Sequence, residues 1–324
     1  MSEFSPSPEV SNEKAFPDHR NQSPVWSLFS FLLIMAGGYI LFNILSFILV
    51  PIILGINNPL VFVAILQHPS QHNGAWQVLI LTQLIAFTGS FLITPLLYLR
   101  WMEKRPLSAL NPNRQVAGLP LLAVALLVVF FVPFNDLIIQ WNNSLSLPEP
   151  LQWLEFWMKD MEEKLQEMTQ VLTNFSSPGR LLIGFLVIAV LPGIGEELTF
   201  RGLLQNKLQR LTGNPHVAIW LAAAIFSSIH FQFYGFFPRM LLGALFGYLY
   251  VWSGSLWLPI LAHFVNNAFT LLMVYLYQQK VSDYDVEKSP FASWPLVLLS
   301  LALTAGLLYY IRYYYRNRYP AHQP

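Results

Sequence analysis

Apolar and polar positions are segregated along this chain into long runs and short breaks. Eight apolar stretches stand out, at approximately 26–50, 76–99, 117–140, 179–198, 216–231, 236–252, 256–277 and 292–311. A bilayer core takes a helix of about 20 mostly apolar residues, so each stretch is predicted to be a transmembrane helix. The longest polar interval, 141–178, breaks the pattern. Within it Leu151, Leu154, Trp157, Met158, Met161, Leu165 and Met168 recur at helical spacing, and Glu155, Asp160, Glu162, Glu163 and Glu167 fill most other positions. That periodicity predicts an amphipathic helix lying on the membrane surface or capping the bundle. A plain connecting helix fits the pattern equally well. The expected fold class is an all-α membrane protein, a bundle of about eight transmembrane helices plus an amphipathic connecting helix.

Composition narrows the class. Hydrophobic residues make up 55% of the 324 positions and charged residues 11%. A soluble domain carries roughly a quarter charged residues. A chain this poor in charge hides much of its surface in lipid, which disfavours an ordinary cytosolic enzyme, a disordered chain or a nucleic-acid binder. The net charge of +1 gives no reason to expect an electrostatic partner. With no cysteine, disulfides, thiolate zinc sites and cysteine nucleophiles are excluded.

Residues 1–24, rich in Ser, Pro, Asn and Glu, are expected to form a disordered tail. They lack the short apolar core and small-residue cleavage site of a signal peptide. If the N-terminus lies inside, 12 of the 18 Lys and Arg residues fall in inner segments. By the positive-inside rule both termini are expected in the cytoplasm, in a bacterial-type cytoplasmic membrane. No repeat of 20–50 residues is evident in the sequence, and no duplicated half suggests a repeat-built transporter.

Ionisable residues inside membrane helices are costly, by about 2.5–3.5 kcal/mol at the helix centre, so the few that interrupt the apolar runs are informative. Three acids do so, Asp136, Glu196 and Glu197, together with two deep histidines, His230 and His263. Asp136, near the outer end of its stretch, reads as a local cap or interfacial residue. Adjacent helical positions point about 100° apart, so Glu196 and Glu197 cannot share one face. Glu197 and Arg201 stand i, i+4 with the acid first, the better order for an ion pair. Glu196 is left to face the bundle interior. Both acids could equally sit at the interface and merely end the span.

Phe226 and His230 share one helical face, as do His263 and Asn267. Polar side chains in lipid need partners, and these most economically satisfy one another around a shared cavity. Such a cavity would hold the parts of a hydrolase. A carboxylate can take a proton from water and deliver it to a leaving amine, with a histidine helping to hold that water. A second histidine and an asparagine can donate to a developing oxyanion. Gly243 and Gly247 form a GxxxG pattern suited to close helix contact.

Glu196-Glu197-x-x-x-Arg201, Phe226-x-x-x-His230 and His263-x-x-x-Asn267 follow one another on successive apolar stretches over about residues 180–275. This order resembles the CPBP family of intramembrane proteases, also called the Abi or type II CAAX prenyl endopeptidase family. The resemblance implies that Glu196 is the general base, that His230 shares its water, and that His263 and Asn267 form the oxyanion hole. Glu197, Arg201 and Phe226 would support them. It implies a membrane-associated substrate, CAAX-like, lipidated or membrane-tethered, with the lipid bilayer as the other partner and no nucleic acid. Eukaryotic members remove the last three residues of prenylated CAAX proteins; bacterial members are linked to bacteriocin maturation and self-immunity.

On this reading residues 25–178 hold the N-terminal transmembrane helices and the connector. The catalytic core spans 179–278, and 279–324 hold the last helix and a basic tail. By type, Glu196, His230 and His263 are acceptable zinc ligands, and the family has been described both as metalloproteases and as glutamate proteases. The HExxH signature is absent, and Asn267 beside His263 suits an oxyanion hole better than a zinc site. His68-x-x-x-His72 has ligand spacing but lies in a polar loop. Two other functions fit the same residues: a catalytically silent membrane scaffold or immunity protein, and a proton-coupled transporter.

Overall fold

The computed structural model describes residues 23–111, 116, 118–285 and 293–318. The expected tail at 1–24 and the end of the basic C-terminal tail fall largely outside these residues. Among the described residues the protein is all helical, without strands. The helices are α1 (Pro24–Leu54), α2 (Pro59–Gln67), α3 (Ala75–Met102), α4 (Gly118–Asn143), α5 (Gln152–Leu172), α6 (Pro178–Thr212), α7 (Pro215–Ser228), α8 (Phe236–Ser253), α9 (Trp257–Gln278) and α10 (Trp294–Arg318).

Six of them, α1, α3, α4, α6, α9 and α10, are long and apolar enough to cross a membrane. The chain is therefore a multi-pass integral membrane protein. Each of the eight apolar stretches carries a helix among its described residues, but two of these helices are shorter than expected. At 1.5 Å per residue α7 is about 21 Å long and α8 about 27 Å, short of a hydrocarbon core of about 30 Å. Both pack against α6, and the turn between them lies beneath α5. Asn142 of α4 donates to Phe233 O at 3.1 Å and accepts from Phe237 N at 2.9 Å. Glu162 of α5 accepts from Tyr234 N at 3.4 Å. The amphipathic helix thus caps the bundle at this turn. None of its side chains is fully buried, and Trp153 and Phe156 stay exposed on its outer face.

The α6–α7 hairpin sets the depth of the polar residues. Gly213, with φ of 68°, ends α6 in a left-handed conformation that costs a glycine little. Asn214 then caps α7 by accepting from His216 N and Val217 N, with Pro215 at the first helical position. Glu196 lies 16 residues before Thr212 and His230 lies 15 after Pro215. The two arms are about 24 and 22 Å long, so these residues meet at one level.

Helix α6 is irregular where it carries the acids. Wide π-helical turns at Phe185–Val190 and Leu198–Gln205 flank the regular turn Leu191–Glu197. Such turns change the helical register and are frequent at functional sites. On the facing helix, a Cβ at Gly243 would come 3.1 Å from Ala223 Cβ of α7 and one at Gly247 would come 2.8 Å from Gln205 Oε1 of α6. The GxxxG pattern lets α8 seat closely against both helices.

Two buried polar contacts tie the outer helices to this core. Lys207 of α6 donates to Ser27 Oγ of α1 at 2.8 Å and to Tyr98 OH of α3 at 2.9 Å, and pairs with Glu103. Asp136 is buried in α4 and accepts from Tyr284 OH at 2.9 Å, so it joins two segments rather than capping its own helix. Removing one partner of a buried pair leaves the other charge uncompensated. Glu103→Ala is expected to lower unfolding stability in detergent by about 3–5 kcal/mol, and Glu103→Leu with Lys207→Met to recover most of that loss. Equal stability of Glu103→Ala and wild type in a denaturant titration would contradict the clamp.

Candidate functional site

The site is built outward from one ion pair. Arg201 and Glu197 are both buried, with Arg201 Nη1 donating to Glu197 Oε1 at 2.7 Å. Arg201 Nη2 donates to Gly243 O at 2.9 Å, fixing α6 against α8. The guanidinium lies 5.0 Å from the Phe226 ring and 5.4 Å from the Phe246 ring. Aromatic faces attract a desolvated cation, so α7 and α8 both help to hold it.

The same carboxylate orients His263 of α9. Glu197 Oε1 lies 2.7 Å from His263 Nδ1. A carboxylate paired with arginine can only accept, so Nδ1 carries a proton. His263 Nε2 is then turned to the opposite side, where it lies 3.6 Å from Glu196 Oε2. The two adjacent glutamates are thereby separated: Glu197 is sequestered among Arg201, His263 and α8, and Glu196 looks the other way.

Glu196 and His230 line a cavity of about 560 Å³ between α1, α3, α6 and α7. Its walls are otherwise mostly apolar and include Tyr39, Phe91, Thr199 and Phe231. His230 Nδ1 lies 2.7 Å from Phe226 O, a carbonyl that can only accept. That bond fixes the tautomer with the proton on Nδ1 when the ring is neutral, and leaves Nε2 as an acceptor. The spacing of Phe226 and His230 thus has a backbone meaning as well as a ring contact, with centroids 4.9 Å apart.

Asn267 stands one turn beyond His263 on α9. Its Nδ2 donates to Ile188 O at 3.0 Å and its Oδ1 accepts from Asn266 Nδ2 at 3.1 Å. The cause lies in α6. Pro192 has no N–H to offer the carbonyl four residues back, which is that of Ile188. Asn267 supplies a donor in its place and holds α9 to α6. One amide hydrogen of Asn267 is used in this way, and the other remains.

The fold thus brings together Glu196, Glu197, Arg201, Phe226, His230 and His263, with Asn267 adjacent and tied to backbone. Sequence reasoning missed Phe246, which packs 5.5 Å from the His263 ring, and read Gly243 as a helix contact without the hydrogen bond its carbonyl accepts from Arg201. The GxxxG pattern was the signal that could have found them, because it marks the face of α8 that meets the site. Arg239 also interrupts an apolar run, the stretch 236–252, and was not among the site residues read from the sequence. Among the described residues no three His, Asp or Glu side chains are placed to share a metal ion. Glu196, His230 and His263 do not converge as a zinc-binding set, and His68 and His72 do not gain a third ligand.

Residues 178–269 match the family model described as type II CAAX prenyl endopeptidase Rce1-like. The uncharacterized protein YpbD of Bacillus subtilis (strain 168) is 31% identical over 87 residues, 26% of this chain. The match spans 41% of that relative's length. No solved structure matches the chain. The segment that carries Glu196, His230, His263 and Asn267 is thus matched to the Rce1-like type II CAAX prenyl endopeptidases, the family that the order of the three motifs resembles.

Proposed function

We propose that this protein is an intramembrane endopeptidase that hydrolyses a peptide bond of a membrane-associated substrate. One observation carries the reading: of two adjacent buried glutamates, Glu197 is engaged by Arg201 and His263 while Glu196 lines a cavity together with His230. The segment match to Rce1-like type II CAAX prenyl endopeptidases supports the same class of reaction.

In this mechanism Glu196 takes a proton from a water that His230 Nε2 helps to hold. The water oxygen bonds to the carbonyl carbon, and the carbonyl electrons move onto its oxygen. When the tetrahedral species collapses, the C–N bond breaks and Glu196 returns the proton to the amine. His263 Nε2 and the remaining Asn267 amide hydrogen are the donors available to the oxyanion. Because Nδ1 of His263 already carries a proton, donation from Nε2 requires the imidazolium form. No step uses a metal.

The cavity suits a substrate delivered by the bilayer. Tyr39, Ile40 and Phe231 line it and are also more than half exposed, so its opening lies among residues that face lipid. An apolar segment or lipid chain attached to the peptide can enter there sideways. We propose that both termini lie in the cytoplasm; the support is that most Lys and Arg residues then lie on that side.

In proteoliposomes, Glu196→Gln is expected to reduce cleavage of membrane-tethered peptides by about 10²–10⁴-fold, the range for loss of a general base, with its melting temperature kept or raised. Retained cleavage would exclude Glu196 as the base and favour a scaffold, and proton flux lost in this variant would favour transport. Chelators are expected to leave cleavage unchanged. Loss of activity on chelation, restored by added zinc, would overturn the metal-free mechanism.

A further inference from the structure

Arg239 lies outside the three motifs and close to the site they form. It occupies the first turn of α8, one helical turn before Gly243. The Gly243 carbonyl holds Arg201, and Phe246 packs on His263, so this face of α8 looks toward the site. Arg239 Nη2 donates to Gln232 Oε1 at 2.6 Å and Nη1 to Gln232 O at 3.4 Å. Gln232 follows His230 by two residues, so the guanidinium is fastened to the strand of chain that carries the histidine. A Cβ at Gly235 would come 3.1 Å from Arg239 Nη2, so the turn has been kept narrow where the guanidinium lies.

Arg239 is within electrostatic reach of Glu196 and His230. Yet among the described residues no carboxylate lies within 4.0 Å of it. Outside the site, the acid that acts on it electrostatically is Glu162 of α5. Burial pushes the Glu162 carboxyl above its usual range, against the Tyr234 N–H and the Arg239 charge, which weakens it as a counter-ion. A half-buried guanidinium with three of its five donors uncommitted and no ion-pair partner is costly to maintain. Its fork matches a carboxylate, and the substrate of a peptidase brings carboxylates with it.

We infer that Arg239, held by Gln232, forms a carboxylate-binding subsite that anchors the anionic end of the substrate beside Glu196 and His230. This rests on the endopeptidase reading above. The carboxylate is either the C-terminal one of a substrate cut near its end or that of an acidic side chain.

The test uses full-length protein in proteoliposomes and a pool of lipid-anchored peptides. The pool is made with free C-terminal carboxylates or C-terminal amides, and each version with Asp and Glu present or replaced by Asn and Gln. Wild type is expected to cleave one carboxylate-bearing version with a kcat/KM at least about tenfold above its neutral counterpart, the effect of a hydrogen bond to a charged group. Which pair differs identifies the source. Arg239→Gln is expected to bring that ratio close to one through a raised KM, and Arg239→Lys to restore part of it. Wild type cleaving all versions equally would overturn the subsite and leave the endopeptidase reading intact, as would Arg239→Gln slowing every version alike. No cleavage of any version would sink both.

Discussion

A guanidinium shut away from water inside a membrane bundle has to find its counter-charge and hydrogen-bond acceptors from the protein itself. Arg201 finds them on three helices at once: the Glu197 carboxylate on its own helix, the Gly243 carbonyl on α8 and the Phe226 face on α7. Glu197 in turn reaches His263 on α9. Four helices are therefore held in mutual register by one buried pair. Shifting any of them would leave a charge unpaired, so the rest of the polar cluster inherits its geometry from this contact.

The pair also explains how two neighbouring glutamates come to differ. Glu197 Oε1 is shared by Arg201 and His263, which fixes the tautomer of His263 and aims its second nitrogen at Glu196. Glu196 keeps its carboxylate for the cavity. The backbone defects of α6 work in the same direction. Its π turns and Pro192 disturb regular hydrogen bonding on both sides of the acids, and Asn267 answers the Ile188 carbonyl that Pro192 cannot serve. Irregular helix is tolerated at membrane depth only where protein surrounds it, as it does here.

Much of this was legible in the sequence. Low charge and the eight apolar runs led to an all-helical membrane bundle, and the i, i+4 spacing of Glu197 and Arg201 pointed to their pairing. The equal distances of Glu196 and His230 from the Gly213 turn are also written in the chain. Other features were not. The shortness of α7 and α8 depends on what covers their connecting turn, and Glu162 and Asn142 come from distant helices. The role of Asn267 toward Ile188 depends on which helix lies beside Pro192. The clamp at Lys207 has no local signature, because its partners Ser27, Tyr98 and Glu103 are about 100 residues or more away. Spacing within one helix reports its faces; it does not report which neighbour meets each face.

The central claim is the division of labour between Glu196 and Glu197, and chemical labelling tests it on the unaltered protein. Wild type in proteoliposomes would be treated with a hydrophobic carbodiimide and sequenced by fragment mass spectrometry across Glu196 and Glu197. The account predicts modification of Glu196, which lines the cavity, and protection of Glu197, which is closed in by Arg201 and His263. Modification of Glu197 with Glu196 spared, or equal modification of both, would contradict it.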